Sequence, residues 1–242
     1  MGWAVALGAA VAAGSVCAQT PGSVAPSPPT VVELFTSQGC SSCPPSDRHL
    51  GELAKRSDIL PLSLHVDYWD YIGWKDPFAS LVFTERQRAY ARALKQRYVY
   101  TPEMVVGGLA HDPGSDPAKI ARMLRQASSH PGPRVLPALV RAAGNGVAVS
   151  LPETRISEEC DVWLVTFDHQ HKTVVARGEN KGATLINHNV VRSLEKLATW
   201  KGEAASWTVP GERIARGEAV AVIVQHAAQG PVIGAARLDR RN

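Results

Sequence analysis

One stretch of this 242-residue sequence restricts its local structure more than any other, namely residues 31–45 (VVELFTSQGCSSCPP). It begins with an apolar run of strand length and then reaches Cys40 and Cys43, which are followed by two prolines. Proline fits the first turn of a helix, where backbone N–H groups have no intrahelical partner. Leucines then recur at helical spacing. The stretch therefore predicts a strand, a tight turn and a helix that ends near Arg56, with both thiols at the start of the helix.

Two thiols at this spacing can either close a small disulfide ring or share a metal ion. A metal site would need further ligands, and His65 and Asp67, which alternate on a predicted strand, are candidates together with Asp70. The sequence has no second Cys-x-x-Cys pair, and no histidine follows Cys43, which also argues against covalently bound haem. We therefore expect neither a metal nor a cofactor, and we retain a metal-binding or metal-delivery module as an alternative.

Charge and the N-terminal residues bear on partners and location. The net charge is only +4 and the basic residues are scattered, so no nucleic-acid partner is expected. Residues 1–18 carry an apolar run without charged side chains and end in small residues, which predicts a secretory signal peptide cleaved after Ala18. Residues 19–29, rich in Pro and Ser, predict a flexible tether. We expect a periplasmic or secreted protein with no membrane contact, unless the signal segment is retained as an uncleaved anchor.

Strand and helix patterns alternate from the first helix to about residue 130. Leu81 and Val82 belong to the apolar stripe of one predicted helix. Pro102 opens an apolar run that ends in two glycines, which is typical of a hairpin. The elements predicted are a strand at residues 59–66, helices at residues 79–98 and 116–129, and a hairpin at Gly107–Gly108.

Residues 67–78 (DYWDYIGWKDPF) are dense in aromatic and acidic side chains. They follow a predicted strand at its carboxyl end, where open α/β sheets place ligand clefts. The segment therefore either lines a substrate groove or packs as a loop on the protein's own core, and both settings suit Trp and Tyr. The substrate-binding residues expected for a groove are Asp67, Trp69 and Trp74, together with Ser41 and Ser42 between the cysteines.

A Pro-Gly-Pro break after His130 predicts a domain boundary. Beyond it, short strand-like runs are separated by turns, and one segment, Asn189–Leu197, has a helical pattern. We therefore expect an α/β domain at residues 30–130 and a mainly β, sandwich-like domain at residues 135–242. Cys160 opens one of the later strands and is expected to be a buried, unpaired thiol.

The order of these elements resembles the thioredoxin fold over about residues 30–130. In that fold a cis-proline loop faces the cysteine pair, and Thr101-Pro102 matches this loop. Four segments (FTSQGCSSCPP, HVDYWDYIGWKDPF, TPEMVVGG and RGENKGATLINHNVVRSLEKLATW) also resemble a family of exported bacterial proteins known as domain of unknown function 1223. The resemblance implies an α/β thioredoxin-like N-terminal domain and no established substrate. Glu33 departs from the thioredoxin pattern by one residue of register, so the resemblance identifies no proton acceptor for the second cysteine.

Together these features predict an exported thiol-disulfide oxidoreductase. Cys40, expected nearest the helix N-terminus, would be the attacking thiolate and Cys43 the resolving thiol, with Thr101 and Pro102 completing the catalytic set. Its partners would be proteins or small molecules that carry thiols or disulfides, and the sequence indicates no oligomeric state. The alternatives are the metal module and a non-catalytic thioredoxin-like scaffold in which the pair is a structural disulfide.

Overall fold

The computed structural model of the chain describes residues 1–2 and 27–240. Nearly all of the predicted signal peptide and most of the predicted tether therefore lie outside the described residues. The helices of the described part are α1 (Pro44–Leu53), α2 (Leu81–Ala93) and α3 (Pro117–Ser128). None of them has the length and apolar content needed to cross a bilayer. The strands are β1 (Thr30–Thr36), β2 (Ile59–His65), β3 (Glu103–Val106), β4 (Ala110–Asp112), β5 (Ala138–Arg141), β6 (Val147–Leu151), β7 (Cys160–Val174), β8 (Thr184–Trp200), β9 (Ala205–Val209), β10 (Ala219–His226) and β11 (Val232–Asp239).

Eight of the strands form one mixed sheet, in the order β11-β10-β7-β8-β2-β1-β3-β4. Strands β1 and β2 run parallel, as expected when a helix such as α1 connects them. The two halves of the chain meet where β8 lies parallel to β2, with Val190 opposite Ser63. Strands β5, β6 and β9 form a second, smaller sheet. Each half of the chain therefore contributes four strands to one continuous sheet.

This sheet corrects the fold class expected from the sequence. The described part of the chain is mostly β, and it contains no separate α/β thioredoxin-like domain followed by an independent sandwich-like module. Phe35 and Leu62 from the first half share one buried cluster with Val165, Phe167 and Ile223 from the second half. The physical reason is that β2 needs both a partner strand and a covered apolar face. Its edge hydrogen-bonding groups are paired and its apolar face is buried only when β8 and its neighbours join the sheet.

The helices pack on both faces of the first half of the sheet. Helices α1 and α3 cover one face, where they bury Val32 and Leu34 of β1. Helix α2 covers the other face, toward which the alternation of the strand directs Phe35. By the same alternation Thr36, at the carboxyl end of β1, lies on the side of α1. The end of β1 and the start of α1 therefore enclose the cysteine loop between them.

The buried side of α2 differs from the stripe predicted from the sequence. Leu81 and Val82 are exposed, whereas Arg86 and Tyr90 are buried. Both buried side chains bind the carboxylate of Glu33, which β1 directs toward α2. A buried carboxylate requires such partners. The prediction failed because apolar periodicity cannot reveal a helix face that contains an arginine.

The helix predicted at Asn189–Leu197 is also wrong, because these residues lie within β8. They pair with β7 in a register that shifts between Val162 and Trp163 and again between Thr166 and Phe167. Each shift adds a residue on β8 and reverses which side chains face the core. The alternation of core-facing and solvent-facing side chains along β8 is thereby broken, and the remaining sequence pattern is similar to that of a helix.

The turn between β3 and β4 connects the two halves of the chain. Gly107 accepts a hydrogen bond of 2.8 Å from the backbone N–H of Val232, where β11 begins. Gly108 has a φ of +69°, and a Cβ placed on it would lie 2.5 Å from the carbonyl oxygen of Gly230. Only glycine fits this position without a shift of the neighbouring turn.

We expect Gly108→Ala to lower the free energy of unfolding by about 2 kcal/mol, because a left-handed backbone conformation is combined with a backbone clash. Urea unfolding followed by circular dichroism measures the loss. Gly144→Ala is the matched control, since Gly144 has a φ of +63° and nothing lies within 4 Å of its Cβ position. The control should lose only about 1 kcal/mol. Equal losses would contradict the role assigned to the Gly230 contact.

Candidate functional site

Cys40 and Cys43 are joined by a disulfide, and both residues are fully buried. Cys43 is the N-cap residue of α1, and its carbonyl oxygen accepts hydrogen bonds from the N–H groups of Ser46 and Asp47. Cys40 precedes the helix, and its carbonyl oxygen accepts a hydrogen bond from the N–H of Cys43. Cys43 is therefore nearer than Cys40 to the helix N-terminus, which corrects the order expected from the sequence.

The Thr101–Pro102 loop lies beside the disulfide, and its peptide bond is cis. Ser42 connects the loop to the cysteines, because its hydroxyl lies 3.4 Å from the Cys40 sulfur and donates to the carbonyl oxygen of Thr101 at 3.4 Å. The indole N–H of Trp69 donates to the Thr101 hydroxyl at 2.7 Å. These residues, all singled out in the sequence, therefore lie together around Cys40.

Of the other two substrate-binding candidates, Trp74 lies near the disulfide and Asp67 contacts α2. Trp74 donates a hydrogen bond of 3.1 Å to the side-chain oxygen of Gln38, two residues before Cys40. Asp67 instead accepts a hydrogen bond of 2.6 Å from the hydroxyl of Thr84 in α2. Its carboxylate is thus used to hold the first turn of α2 against the end of β2. The structure brings Trp74 to the cysteine loop and leaves Asp67 in a structural contact.

The metal ligands considered from the sequence do not come together with the cysteines. His65 pairs with Asp76, and the carboxylate of Asp70 accepts a hydrogen bond from the N–H of Asp76. Among the residues that the structure describes, no three His, Cys, Asp or Glu side chains are grouped in a way that could hold a metal ion.

A buried carboxylate lies one helical turn after Cys43. Asp47 is four residues further along α1, so the two side chains share one face of the helix. Asp47 is only 5% exposed, and the Thr36 hydroxyl donates to its carboxylate at 2.9 Å. Burial raises the pKa of Asp47 to about 6, against smaller opposing effects of His65 and Thr36. This carboxyl group can therefore exchange a proton close to the disulfide near neutral pH.

A buried ion pair lies near Asp47. The Nδ1 atom of His65 and the Oδ2 atom of Asp76 are 2.6 Å apart, and neither side chain is exposed. Burial acts to lower the pKa of His65, but the Asp76 carboxylate outweighs it and raises that pKa. Burial likewise acts to raise the pKa of Asp76, yet His65 and the N–H of Gln38 keep it below its usual range. The imidazolium of His65 therefore favours a negative charge on Asp47.

The turn between β7 and β8 reaches the cysteine loop from the other half of the chain, and we name residues 175–183 the hairpin tip. The Asn180 amide donates hydrogen bonds of 2.9 Å to the carbonyl oxygens of both Gln38 and Cys40. The N–H of Ser41 donates to the Glu179 carboxylate at 3.3 Å. The hairpin tip therefore binds the backbone on both sides of Cys40.

Sequence reasoning missed several of these residues as parts of the site. Asn180 and Cys40 are 140 residues apart, so no local pattern could indicate their contact. Asp47 could have been found, because its spacing from Cys43 places both on one helix face.

Cys160 lies outside this site. It is free and buried, as predicted from its position in a strand. Burial raises its pKa to about 11, so Cys160 is a poor nucleophile at neutral pH.

Comparisons with known proteins found one family model and two similar structures. The family model described as "Protein of unknown function (DUF1223)" matches residues 31–225. A crystal structure of protein AGR_C_4864 from Agrobacterium tumefaciens is similar at 30% identity with a TM-score of 0.78, over 90% of this chain and 97% of that chain. HBP35 of Porphyromonas gingivalis shares the fold at 13% identity with a TM-score of 0.64, over 88% of this chain and 75% of that chain. No curated protein matches the chain.

Proposed function

We propose that this chain, which belongs to the DUF1223 family, is a thiol-disulfide oxidoreductase that acts through Cys40 and Cys43. The observation that carries the proposal is the position of the disulfide at the start of α1, between the Thr101–Pro102 loop and the buried carboxylate of Asp47. A disulfide that serves only as a covalent link needs no titratable group beside it. A reactive pair does, because its thiols must lose and regain protons.

The proposed reaction moves two electrons between the cysteine pair and a disulfide of the substrate. In the reducing direction the Cys40 thiolate attacks a substrate sulfur, so a Cys40–substrate bond forms, the substrate S–S bond breaks and the first substrate thiolate leaves and takes up a proton. The Cys43 thiolate then attacks Cys40, releases the second substrate thiolate and closes the ring. A dithiol reductant restores the reduced pair, and the reverse sequence oxidises a substrate dithiol.

The surroundings of the two cysteines support different roles. Cys40 neighbours the exposed residues Ser41 and Ser42, whereas Cys43 leads into the buried side of α1. We therefore assign Cys40 as the attacking thiolate and Cys43 as the resolving one. Asp47 accepts the proton of Cys43, because a carboxyl group with a pKa of about 6 is largely ionised at neutral pH and can still be protonated.

The proposal includes export to the periplasm or the cell exterior. The apolar N-terminal segment at residues 1–18 supports it, as does a disulfide between closely spaced cysteines, which persists in oxidising compartments. The substrates are proteins or small molecules that carry thiols or disulfides.

Single-cysteine variants should differ in their ability to trap a substrate. Cys43→Ser leaves the attacking thiolate without its resolving partner, so incubation with hydroxyethyl disulfide, a small disulfide, should accumulate a mixed disulfide. Cys40→Ser should accumulate about tenfold less, since the remaining Cys43 leads into the buried side of α1, where a substrate sulfur reaches it less readily. Mass spectrometry of the intact protein, without a reductant, measures the adducts. Cys160→Ser is the control and should change neither result.

Redox titration of the wild-type pair separates the proposed function from a structural disulfide. An oxidoreductase should titrate between about −270 and −120 mV, whereas structural disulfides of secreted proteins lie below about −300 mV. A potential in the lower range, together with the absence of trapped adducts in both variants, would refute the proposed function.

A further inference from the structure

We propose that the hairpin tip selects the substrate at this site, admitting small disulfides and excluding disulfides carried by a peptide. This inference rests on the oxidoreductase function proposed above and narrows its substrate class. The residues that carry it are Glu179 and Asn180, which the second half of the chain brings to the cysteine loop.

The hairpin tip already occupies the backbone groups that a peptide would use. The Asn180 amide donates to the carbonyl oxygens of Gln38 and Cys40, and the Glu179 carboxylate accepts from the N–H of Ser41. An amide donor and a carboxylate acceptor supply the same hydrogen bonds as the N–H and C=O groups of an extended peptide. A peptide that bound to the backbone of residues 38–41 would compete with both side chains.

Further contacts hold the cysteine loop and the neighbouring Trp74 against β7 and the hairpin tip. The side-chain amide of Gln38 donates to the hydroxyl of Thr173 at 3.0 Å, so the loop is also bonded to β7. Gly178 lies against Trp74, because a Cβ on this glycine would be 3.2 Å from the Cβ of Trp74. Two backbone hydrogen bonds hold the hairpin tip closed at its base, from the N–H of Val175 to Ala183 at 3.0 Å and from the N–H of Gly182 to Val175 at 2.8 Å.

Part of the loop remains open to solvent. Ser41 and Ser42 are exposed, although the two cysteines between which they lie are buried. A small disulfide needs to reach only the Cys40 sulfur, which lies 3.4 Å from the hydroxyl of the exposed Ser42. A peptide disulfide also brings the chain on both sides of its cysteine, and next to Cys40 that chain meets the hairpin tip, bonded at Ser41, and the Thr101 loop, bonded at Ser42.

The experiment compares two disulfides in single-turnover reactions of the pre-reduced protein. The probes are hydroxyethyl disulfide, which is small and uncharged, and an uncharged linear peptide joined by a disulfide to a thiol dye. Asn180→Ala removes two hydrogen bonds of the hairpin tip, so the ratio of the peptide rate constant to the small-disulfide rate constant should rise about tenfold. Glu179→Gln weakens one bond and should raise the ratio less. Lys181→Ala, an exposed change in the same turn, is the matched control and should leave the ratio as it is.

A second measurement does not depend on disulfide exchange. Alkylation of the reduced protein is followed with iodoacetamide and with a maleimide attached to a long polyethylene glycol, and Asn180→Ala should accelerate the larger reagent more. The proposal that the hairpin tip selects the substrate would be overturned if Asn180→Ala raised the alkylation rates of both reagents equally and left the ratio of the two disulfide rate constants unchanged. If wild type and variants react with neither disulfide while the alkylation ratio still shifts, the oxidoreductase function fails but the hairpin tip acts as a size screen. Circular dichroism confirms that each variant is folded before its rates are compared.

Discussion

Replacing Arg86 with methionine should destabilise the protein by about 3 to 5 kcal/mol, because it leaves a buried carboxylate unpaired. The Arg86 guanidinium binds Glu33 at 2.5 and 3.0 Å, and each side chain is only 2% exposed. Methionine has a similar length and fills much of the same space, yet it cannot neutralise Glu33. The loss therefore measures the unpaired charge more than a cavity.

The free energy of unfolding in urea tests this expectation. Arg88→Met on the same helix is the matched control, since the pair of Arg88 with Glu85 is about half exposed on both sides, and it should change stability by less than about 0.5 kcal/mol. The double variant Glu33→Met, Arg86→Met should recover much of the loss, because both charges are then removed. A loss in Arg86→Met no larger than in the control, or no recovery in the double variant, would show that the ion pair is not what stabilises this face of the sheet.

Asp47→Asn should have the second largest effect, and it should stabilise the oxidised protein above pH 6. Burial raises the pKa of Asp47 from the ordinary 3.8 to about 6 in the folded chain. The folded state therefore holds a proton that the unfolded state releases, so stability falls as the pH rises from about 4 to about 6 and is level above that range. Such a difference corresponds to roughly 2 to 3 kcal/mol. Asparagine keeps the acceptor for the Thr36 hydroxyl and removes the buried charge.

The pH dependence of the variant provides the check on its cause. The groups that face Asp47 are His65, Asp76, Thr36 and Asn187, and the His65 imidazolium opposes the rise in its pKa. Urea unfolding measures the gain in free energy of unfolding of Asp47→Asn over wild type. This gain should be small near pH 4 and should reach its full value above pH 6. A gain of equal size at pH 4 and above pH 6 would show that packing, and not the charge of the carboxylate, causes the stabilisation. In the proposed reaction the same variant closes its disulfide more slowly, because Cys43 has lost its proton acceptor.

The elements next to the cysteines could be predicted because their signals are local. The two prolines after Cys43 predict the first turn of α1, and α1 does begin at Pro44. The apolar run at residues 59–66 predicts β2, and the paired glycines predict the turn between β3 and β4. Each signal depends on a few neighbouring residues, so it is readable without knowledge of the rest of the fold.

The arrangement of the two halves could not be predicted in this way. The helical pattern at Asn189–Leu197 conceals a strand, since the shifts of register between β7 and β8 are set by the partner strand. The joining of β8 to β2 is decided by burial of a shared core, which involves residues far apart in the chain. Local patterns carry no information on that pairing, so they predict a separate thioredoxin-like domain.

The sequence by itself determined the thiol pair, the helix start behind it and the Thr101-Pro102 loop, since these follow from the covalent order of neighbouring residues. Only the tertiary structure decided that Asp47 is buried, that Arg86 neutralises Glu33 and that Asn180 binds the carbonyl oxygen of Cys40. The physical reason is that a hydrogen bond or an ion pair depends on distance in space. When the partners are separated by many residues, only the folded sheet brings them within that distance.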